Sequence, residues 1–126
     1  MKNNLIEKAI SMRKRAHALF SGYKVGSAVK TKSGEIIGGC NIESSSYGLT
    51  CCAERVALYR SIAKGYSEFD GIAVSSKNAC FPCGACRQVI WDLCGEIPIF
   101  ICNEKKLIKQ STSLILLPEP FDKSFL

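Results

Sequence analysis

Two short segments of this sequence contain cysteines at a spacing that suits a metal ion. They are Cys51-Cys52-Ala53-Glu54-Arg55 and, further along, Pro82-Cys83-Gly84-Ala85-Cys86-Arg87-Gln88. A Cys-x-x-Cys pair on one helical turn supplies two thiolates to a tetrahedral zinc ion, and a third thiolate from Cys52 leaves one position for water. Glu54 stands where its carboxylate can exchange protons with that water without binding the metal. This arrangement predicts a catalytic metal site for hydrolysis.

The residue pattern leaves alternatives open for both the ligands and the carboxylate. Cys51 lies within the first segment and Cys80 just before the second, so spacing alone does not exclude a structural zinc held by four thiolates. Glu54 could also be an ordinary acidic residue in the first turn of a helix. The other three cysteines stand among apolar residues, where we expect buried thiols without a chemical role: Cys40, Cys94 and Cys102.

Length and composition favour one compact domain. The chain has 126 residues, 47% of them hydrophobic and 22% charged, and we expect a single domain over residues 1–126. The start of the sequence lacks the apolar segment of a signal peptide, and no apolar run is long enough to cross a membrane. We therefore expect a cytoplasmic protein without a membrane partner. In that reducing compartment, clustered cysteines indicate metal binding more often than disulfides.

Basic residues are concentrated in the N-terminal part of the chain. The net charge is +6, and the first 32 residues carry eight Lys or Arg but only Glu7 as an acid. Such a bias can mark a nucleic-acid surface. However, no aromatic residues that could stack on bases are interleaved with the run Arg13-Lys14-Arg15. A stable nucleic-acid partner is therefore not expected.

Hydrophobic periodicity predicts alternating helices and strands after an initial hairpin. The predicted helices cover residues 4–19, begun by a capping box of Asn4 and Glu7, 52–64 and 83–94. The predicted strands cover residues 24–31, 35–40, 69–75, 97–102 and 106–109, and a terminal element covers 114–117. This order indicates a sheet covered by helices on both faces, with Trp91 packed in the core.

Both cysteine segments then lie at helix N-termini, which has an electrostatic consequence. Zinc bound by three thiolates carries a net negative formal charge. Two helix N-termini directed at the site would contribute partial positive charge, and Arg55 could donate hydrogen bonds to the thiolates. We expect these groups to offset the charge of the ligands.

Almost the whole chain resembles the short, homotetrameric cytidine deaminases of nucleoside salvage, whose zinc is bound by three cysteines. Six segments carry the resemblance in the family's order: Phe20-Ser21-Gly22-Tyr23-Lys24-Val25-Gly26, Gly39-Cys40-Asn41-Ile42-Glu43, Ser46-Tyr47-Gly48, Cys52-Ala53-Glu54-Arg55, Pro82-Cys83-Gly84-Ala85-Cys86-Arg87-Gln88, and Leu116-Leu117-Pro118 followed by Phe121. The resemblance implies a three-layer α/β/α fold with a central mixed sheet of about five strands. It also implies hydrolytic deamination of cytidine and 2′-deoxycytidine to the uridine forms, with release of ammonia.

The resemblance also implies a role for each site residue. One zinc per chain would be bound by Cys52, Cys83 and Cys86, with Glu54 as the proton shuttle. Arg55 and Gln88 are expected to support the cysteine ligands without binding the metal themselves. The nucleoside would be held by six residues: Asn41 and Glu43 at the ribose 3′-hydroxyl, Tyr23 beside the base, the amide of Ala53 at the base carbonyl, and Tyr47 and Phe121 supplied by neighbouring subunits of a homotetramer.

The sequence differs from the family pattern at two places, and it is compatible with two other functions. The chain has Leu19-Phe20-Ser21 where the family has Pro-Tyr-Ser, and Tyr23 where the family has phenylalanine. One rival is a related zinc deaminase acting on a nucleoside antibiotic or a polynucleotide base, and the other is a binding module with a structural zinc. The Asn41-Ile42-Glu43 segment favours a free nucleoside, because it would hold the sugar end that a polymer must leave open.

Overall fold

The computed structural model describes residues 2–126, which form one sheet with helices on both sides. The helices are α1 (Lys2–Met12), α2 (Ala53–Ala63), α3 (Gly84–Cys94) and α4 (Ser113–Leu116). The strands are β1 (Gly26–Thr31), β2 (Ile36–Cys40), β3 (Phe69–Ser75), β4 (Pro98–Cys102) and β5 (Leu107–Thr112). Short 3-10 turns lie at Arg13–Arg15, Tyr47–Leu49 and Lys123–Phe125. Over the described residues, no helix has the length and apolar character needed to span a membrane.

The sheet has five strands in the order β2-β1-β3-β4-β5. β3 and β4 are parallel, and every other neighbouring pair is antiparallel. Parallel neighbours need a crossover connection, and here the crossover contains α3, which carries the second cysteine segment. The prediction of a central mixed sheet of five strands is confirmed.

The side chains of each strand point alternately to the two faces of the sheet, and an apolar core lies on each face. On one face, Ala28 of β1 packs with Leu5 of α1. On the other face, the next residue, Val29, belongs to a core with Leu58 of α2 and Ile90 of α3. Successive side chains of a strand point to opposite faces, so each face is covered by its own helices. The three-layer α/β/α arrangement is therefore confirmed.

The first helix is shorter than the sequence predicted. It ends at Met12, and the chain is extended again at Ala16, where ψ is 133°. The His17 N–H donates to the Asn41 carbonyl over 2.9 Å, and the Glu43 N–H donates to the His17 carbonyl over 2.9 Å. This pairing satisfies the backbone of residue 17 outside a helix. The prediction of a helix as far as residue 19 is therefore wrong.

Two predictions at single residues are also wrong, whereas the other elements agree with the structure apart from their ends. α1 begins at Lys2, so Asn4 lies inside the helix and does not cap it. Trp91 is half-buried rather than in the core, and its indole N–H donates to an Asp122 carboxylate oxygen over 3.0 Å. A partly buried indole N–H is stabilised by such a partner, and the C-terminal segment supplies it near the surface.

The position of α2 depends on a close approach to β2 at Gly39. A Cβ atom at Gly39 would overlap the backbone nitrogen of Ala57 and the carbonyl of Ala53, both in α2. Glycine has no Cβ, so the backbone of the helix can lie directly against the strand. Because Ala53 follows Cys52, this contact also positions the helix N-terminus that carries Cys52 and Glu54.

Candidate zinc centre and catalytic cavity

Three cysteines meet where the N-termini of two helices come together. Cys52 is the N-cap residue of α2, Cys83 is the N-cap residue of α3, and Cys86 lies in the first turn of α3. Their sulfur atoms all lie within 4.8 Å of one another, and the Cys52 and Cys83 Sγ atoms are 3.8 Å apart. In the part of the chain that the structure describes, this group of possible metal ligands includes neither Cys51 nor Cys80.

This set of donors suits a zinc ion. Thiolates bound at about 2.3 Å to a tetrahedral zinc lie about 3.8 Å from one another, which is the distance between the Cys52 and Cys83 sulfurs. The partial positive charge of the two helix N-termini favours the thiolate form of the ligands. The residues present therefore fit zinc in both chemistry and spacing.

Arg55 reaches the sulfur cluster from the first turn of α2. Its Nη2 donates to Cys52 Sγ over 3.3 Å. Hydrogen bonds from the Cys86 thiol and from Arg55 lower the pKa of the Cys52 thiol to about 5, although burial opposes them. The same hydrogen bond to Cys52, together with burial, raises the pKa of the Cys86 thiol. The Cys86 thiol and Arg55 thus favour the thiolate form of Cys52.

Glu54 lies beside the cluster at the wall of a cavity. Its side chain is 4% exposed, and it lines the same cavity as Cys52 and Cys83. Burial raises the pKa of the Glu54 carboxyl to about 7, and the negative charge of Cys52 adds to this effect. A carboxyl that titrates near neutrality can both accept and donate a proton at ordinary pH.

The cavity has a volume of about 220 Å³, and two of the three cysteines, Cys52 and Cys83, line it. Four residues to which the sequence analysis gave a substrate-binding role line it: Tyr23, Asn41, Glu43 and Ala53. Five further lining residues had no substrate-binding role assigned: Ser21, Val25, Thr50, Cys80 and Phe81. Ser21 lies within a segment that carries the family resemblance. Thr50 and Phe81 directly precede the two cysteine segments, so their positions in the sequence were a usable signal.

The Asn41 amide is held by the segment that precedes β1. Its Oδ1 accepts from the Val25 N–H over 3.0 Å, and its Nδ2 donates to the Tyr23 carbonyl over 2.7 Å. Asn41 is 8% exposed, and these bonds satisfy a polar group that is nearly buried. An amide carries two N–H donors, so one remains for a bound molecule.

Glu43 accepts hydrogen bonds from the same N-terminal segment. Its Oε1 accepts from the N–H groups of Phe20 and Ser21 over 2.9 and 3.0 Å, and its Oε2 accepts from the Ser21 hydroxyl. The bond from the Ser21 hydroxyl and the two backbone bonds lower the pKa of the Glu43 carboxyl. The carboxylate is therefore charged at neutral pH and oriented before any ligand binds.

Tyr47 and Phe121 lie outside the cavity of their own chain. Tyr47 is 79% exposed, in a shallow depression next to Glu43 and Thr50. Phe121 is 60% exposed and lines a separate groove on the outer side of α3 with Gln88 and other residues. Within the described chain, neither aromatic ring lines the cavity that contains Glu54.

Gln88 is not placed behind the ligands, contrary to the sequence-based expectation. Its side-chain amide donates to the Asp92 carboxylate over 3.1 Å and to the Phe121 carbonyl over 2.8 Å. The preceding residue contacts the start of the second cysteine segment: Arg87 Nε donates to the Pro82 carbonyl over 2.7 Å, and Arg87 Nη1 donates to the Leu116 carbonyl over 2.9 Å. One step along a helix turns a side chain by about 100°, so Arg87 and Gln88 point in different directions from α3.

Comparison with known proteins identifies the family. The family model for the cytidine and deoxycytidylate deaminase zinc-binding region matches residues 1–102. The chain belongs to this deaminase family. A cytidine deaminase of Sporosarcina psychrophila is 39% identical over 122 residues, which cover 94% of this chain and 90% of the relative. A cytidine deaminase of Halalkalibacterium halodurans is 42% identical over 120 residues, which cover 93% of this chain and 91% of the relative.

The deaminase fold is also that of a solved relative. A crystal structure of cytidine deaminase from Burkholderia pseudomallei has a TM-score of 0.91 with this chain at 39% identity, covering 96% of this chain and 99% of that one. The family resemblance and the fold expected from it are confirmed. The cofactor of this deaminase is zinc, and among residues 2–126 Cys52, Cys83 and Cys86 form the group positioned to bind it.

Proposed function

We propose that this deaminase removes the amino group of free cytidine and 2′-deoxycytidine by hydrolysis, as an enzyme of pyrimidine salvage. The products are uridine and 2′-deoxyuridine with ammonia. The observation that carries the proposal is a buried carboxyl, Glu54, in a cavity lined by Cys52 and Cys83 of the three-cysteine cluster. Zinc deaminases combine such a donor set with a glutamate that does not bind the metal. The relatives named as cytidine deaminases support a cytosine base.

Cys52, Cys83 and Cys86 would hold the zinc ion in this proposal. The chemistry that zinc supplies when bound is Lewis-acid activation of water for hydrolysis. Arg55 and the two helix N-termini favour the thiolate form of the ligands, because each contributes positive charge next to a sulfur. The protein thus stabilises a strongly anionic ligand set without a histidine.

Glu54 would move both protons of the reaction. Its carboxylate takes a proton from the attacking water and gives it to the ring nitrogen next to the amino-bearing carbon. It then carries the second proton to the departing amino group, which leaves as ammonia. Because Glu54 is almost fully buried, bulk water is kept away from the carboxyl while it transfers these protons.

The walls of the cavity offer polar groups to both ends of a nucleoside. Ala53 is the first residue of α2, so its N–H has no acceptor within the helix and can donate to the base carbonyl. Asn41 retains one amide N–H and the Glu43 carboxylate retains lone pairs, so the two can donate to and accept from the ribose 3′-hydroxyl. The Tyr23 ring would form a wall beside the base.

A homotetramer with shared sites is part of the proposal. The cavity of one chain holds about 220 Å³, below the roughly 300 Å³ at which ligand pockets usually begin. The exposed rings of Tyr47 and Phe121 are available to complete the cavities of neighbouring subunits, and exposed apolar groups of this size often mark such surfaces. The eight free thiols support a cytoplasmic site of action.

The ultraviolet absorbance of candidate substrates tests the proposed reaction. The zinc-loaded protein should convert cytidine and 2′-deoxycytidine to products with uridine spectra, and should leave adenosine unchanged. Cytidine monophosphate and a nucleoside antibiotic complete the series. Turnover of one of these in place of the free nucleosides would contradict the assigned substrate.

The Glu54→Gln variant is the matched control for this assay. Glutamine keeps the shape of the side chain but cannot carry a proton, so zinc content should stay near one per chain while turnover falls by about 10⁴-fold. Turnover within tenfold of the parent would show that Glu54 is not the proton carrier.

A further inference from the structure

The hydroxyl of Tyr23 connects the cavity to a turn that follows β3. It donates to Asn78 Oδ1, a residue 55 positions away in the sequence. Asn78 belongs to residues 76–80, which lead from the end of β3 to Phe81 and the turn that carries Cys83. A side chain before β1 is therefore bound to the segment that approaches the ligand helix.

The segment 76–80 is a tight turn organised by the Ser76 hydroxyl. This hydroxyl accepts from the Cys80 N–H over 2.9 Å and contacts Asn78 Oδ1 at 3.5 Å. Ala79 between them has a φ of +54°, in the left-handed region that residues with a Cβ seldom adopt. Such a backbone conformation persists only where surrounding contacts hold it. The hydrogen bond from Tyr23 to Asn78 is one of those contacts.

Tyr23 itself is firmly placed on the other side. Its carbonyl accepts from Asn41 over 2.7 Å, and its N–H donates to the Ser21 hydroxyl over 3.0 Å. The Lys77 ammonium lies 5.8 Å from the centroid of the Tyr23 ring, which gives a second contact between Tyr23 and the turn. The turn also has backbone bonds of its own, from the Ser76 N–H to the Cys102 carbonyl over 3.2 Å and from the Ala79 N–H to the Ser76 carbonyl over 3.4 Å. Tyr23 adds two side-chain contacts to them, at Asn78 and Lys77.

The turn carries part of the cavity wall. Cys80 and Phe81 follow Asn78 directly and line the cavity together with the Tyr23 ring. Phe81 is 43% exposed, so its position depends largely on the backbone that bears it. Movement of the turn would therefore move this wall while leaving Glu54, which is on α2, in place.

We propose that Tyr23 is a positioning residue whose hydroxyl, through Asn78, holds the turn 76–80 and so fixes Cys80 and Phe81 as a wall for the substrate base. The assignment of that substrate rests on the proposed function, whereas the contact between Tyr23 and the turn does not. Loss of the Tyr23–Asn78 contact weakens substrate binding and spares the chemical step.

Alkylation of the Cys80 thiol tests the contact without substrate. The zinc-loaded parent and variants are treated with iodoacetamide, and labelled cysteines are located by mass spectrometry. Tyr23→Phe and Asn78→Ala should each raise the rate at Cys80 roughly fivefold, the factor typical of one neutral hydrogen bond. Tyr66→Phe is the control, because Tyr66 packs against the same core but does not line the cavity.

The labelling rates show whether the contact between Tyr23 and Asn78 holds the turn 76–80. Equal Cys80 rates in Tyr23→Phe and Tyr66→Phe would overturn the proposal. A faster rate in Tyr23→Phe and Asn78→Ala alone, with the rate at Cys94 unchanged, would support it, because a general loosening of the fold would raise both thiols.

Kinetics with cytidine then test the consequence for binding. Tyr23→Phe should raise KM roughly fivefold with kcat within about twofold of the parent, and the double variant with Asn78→Ala should be no worse than either single one, since both remove one contact. An unchanged KM, a loss confined to kcat, or additive effects would overturn the proposal. A parent that does not turn over cytidine would contradict the proposed function, and the alkylation rates would still decide the contact.

Discussion

Burial and position divide the eight cysteines into different kinds of thiol. Cys52, Cys83 and Cys86 converge at two helix N-termini, where positive partial charge favours thiolates. Cys102 is fully buried at the end of β4, and burial raises the pKa of its thiol to about 11. Such a thiol stays protonated and unreactive at neutral pH. Surroundings therefore separate ligand thiols from packing thiols.

Zinc content after single substitutions tests this division. Cys52→Ala, Cys83→Ala and Cys86→Ala should each lose most of the metal, because two thiolates do not hold zinc as three do. Cys51→Ala and Cys80→Ala serve as controls and should retain close to one zinc per chain, measured by elemental analysis after dialysis. Stoichiometric loss of zinc from either control would show that the ligand set is wrong.

The spacing of the cysteine motifs left Cys51 and Cys80 open as ligands, and the choice of Cys52, Cys83 and Cys86 came from the family resemblance. Neither source showed what surrounds these sulfurs. Cys83 and Cys86 share a helical turn, so their proximity is a local property of the chain. The partners of Asn41 and Glu43 come from residues 20–25, which lie far from them in sequence. Contacts of this kind depend on how the strands pair, and no local pattern contains that information.

At the scale of elements, the approach of α2 to β2 predicts unequal effects of two neighbouring glycines. Gly39→Ala should lower the free energy of unfolding by about 1–3 kcal/mol and reduce zinc retention, because its Cβ would overlap the α2 backbone. Gly38→Ala is the matched control: its Cβ would meet the flexible side chain of Met12, which can move.

Urea unfolding and zinc content of the two glycine variants provide the measurement. The prediction is a clear loss in both quantities for Gly39→Ala and a smaller loss in stability alone for Gly38→Ala. Equal changes in the two variants would contradict a specific dependence of the zinc centre on the packing of α2.

The end of one helix is determined by a local sequence signal, whereas the end of another depends on a long-range contact. α2 ends at Ala63, shortly before Gly65, which has a φ of +98°, and a glycine in this conformation is a recognisable end of a helix. The end of α1 has no such signal, because the apolar stripe continues to Leu19. The helix stops there because residue 17 pairs with residues 41–43, a long-range contact that periodicity cannot show.

At the scale of the whole molecule, α3 links the metal site to the C-terminal segment. Gln88 and Trp91 of α3 bind Phe121 and Asp122 by hydrogen bonds of 2.8 and 3.0 Å. The Phe121 ring stacks on Phe125 with centroids 5.6 Å apart and is exposed on the outer surface. This placement supports a role for Phe121 in a neighbouring subunit rather than in its own cavity.

Mixed refolding of two variants tests whether subunits share their sites. Glu54→Gln and Phe121→Ala chains, each poorly active alone, should regain activity when they are denatured together and refolded as a mixture. Some sites would then combine Glu54 from one chain with Phe121 from another. Activity no higher than the average of the two parents, or elution of the unmodified protein as a monomer in gel filtration, would contradict shared sites.

The most direct test of the central claim is product analysis after incubation of cytidine in isotopically labelled water. Hydrolysis at a site built from three cysteines and Glu54 predicts uridine that carries one labelled oxygen on its ring, with one ammonia released per uridine. The Glu54→Gln variant should give neither product at a measurable rate. Unlabelled uridine, or an absence of uridine with the zinc-loaded parent, would contradict hydrolytic deamination of cytidine by this protein.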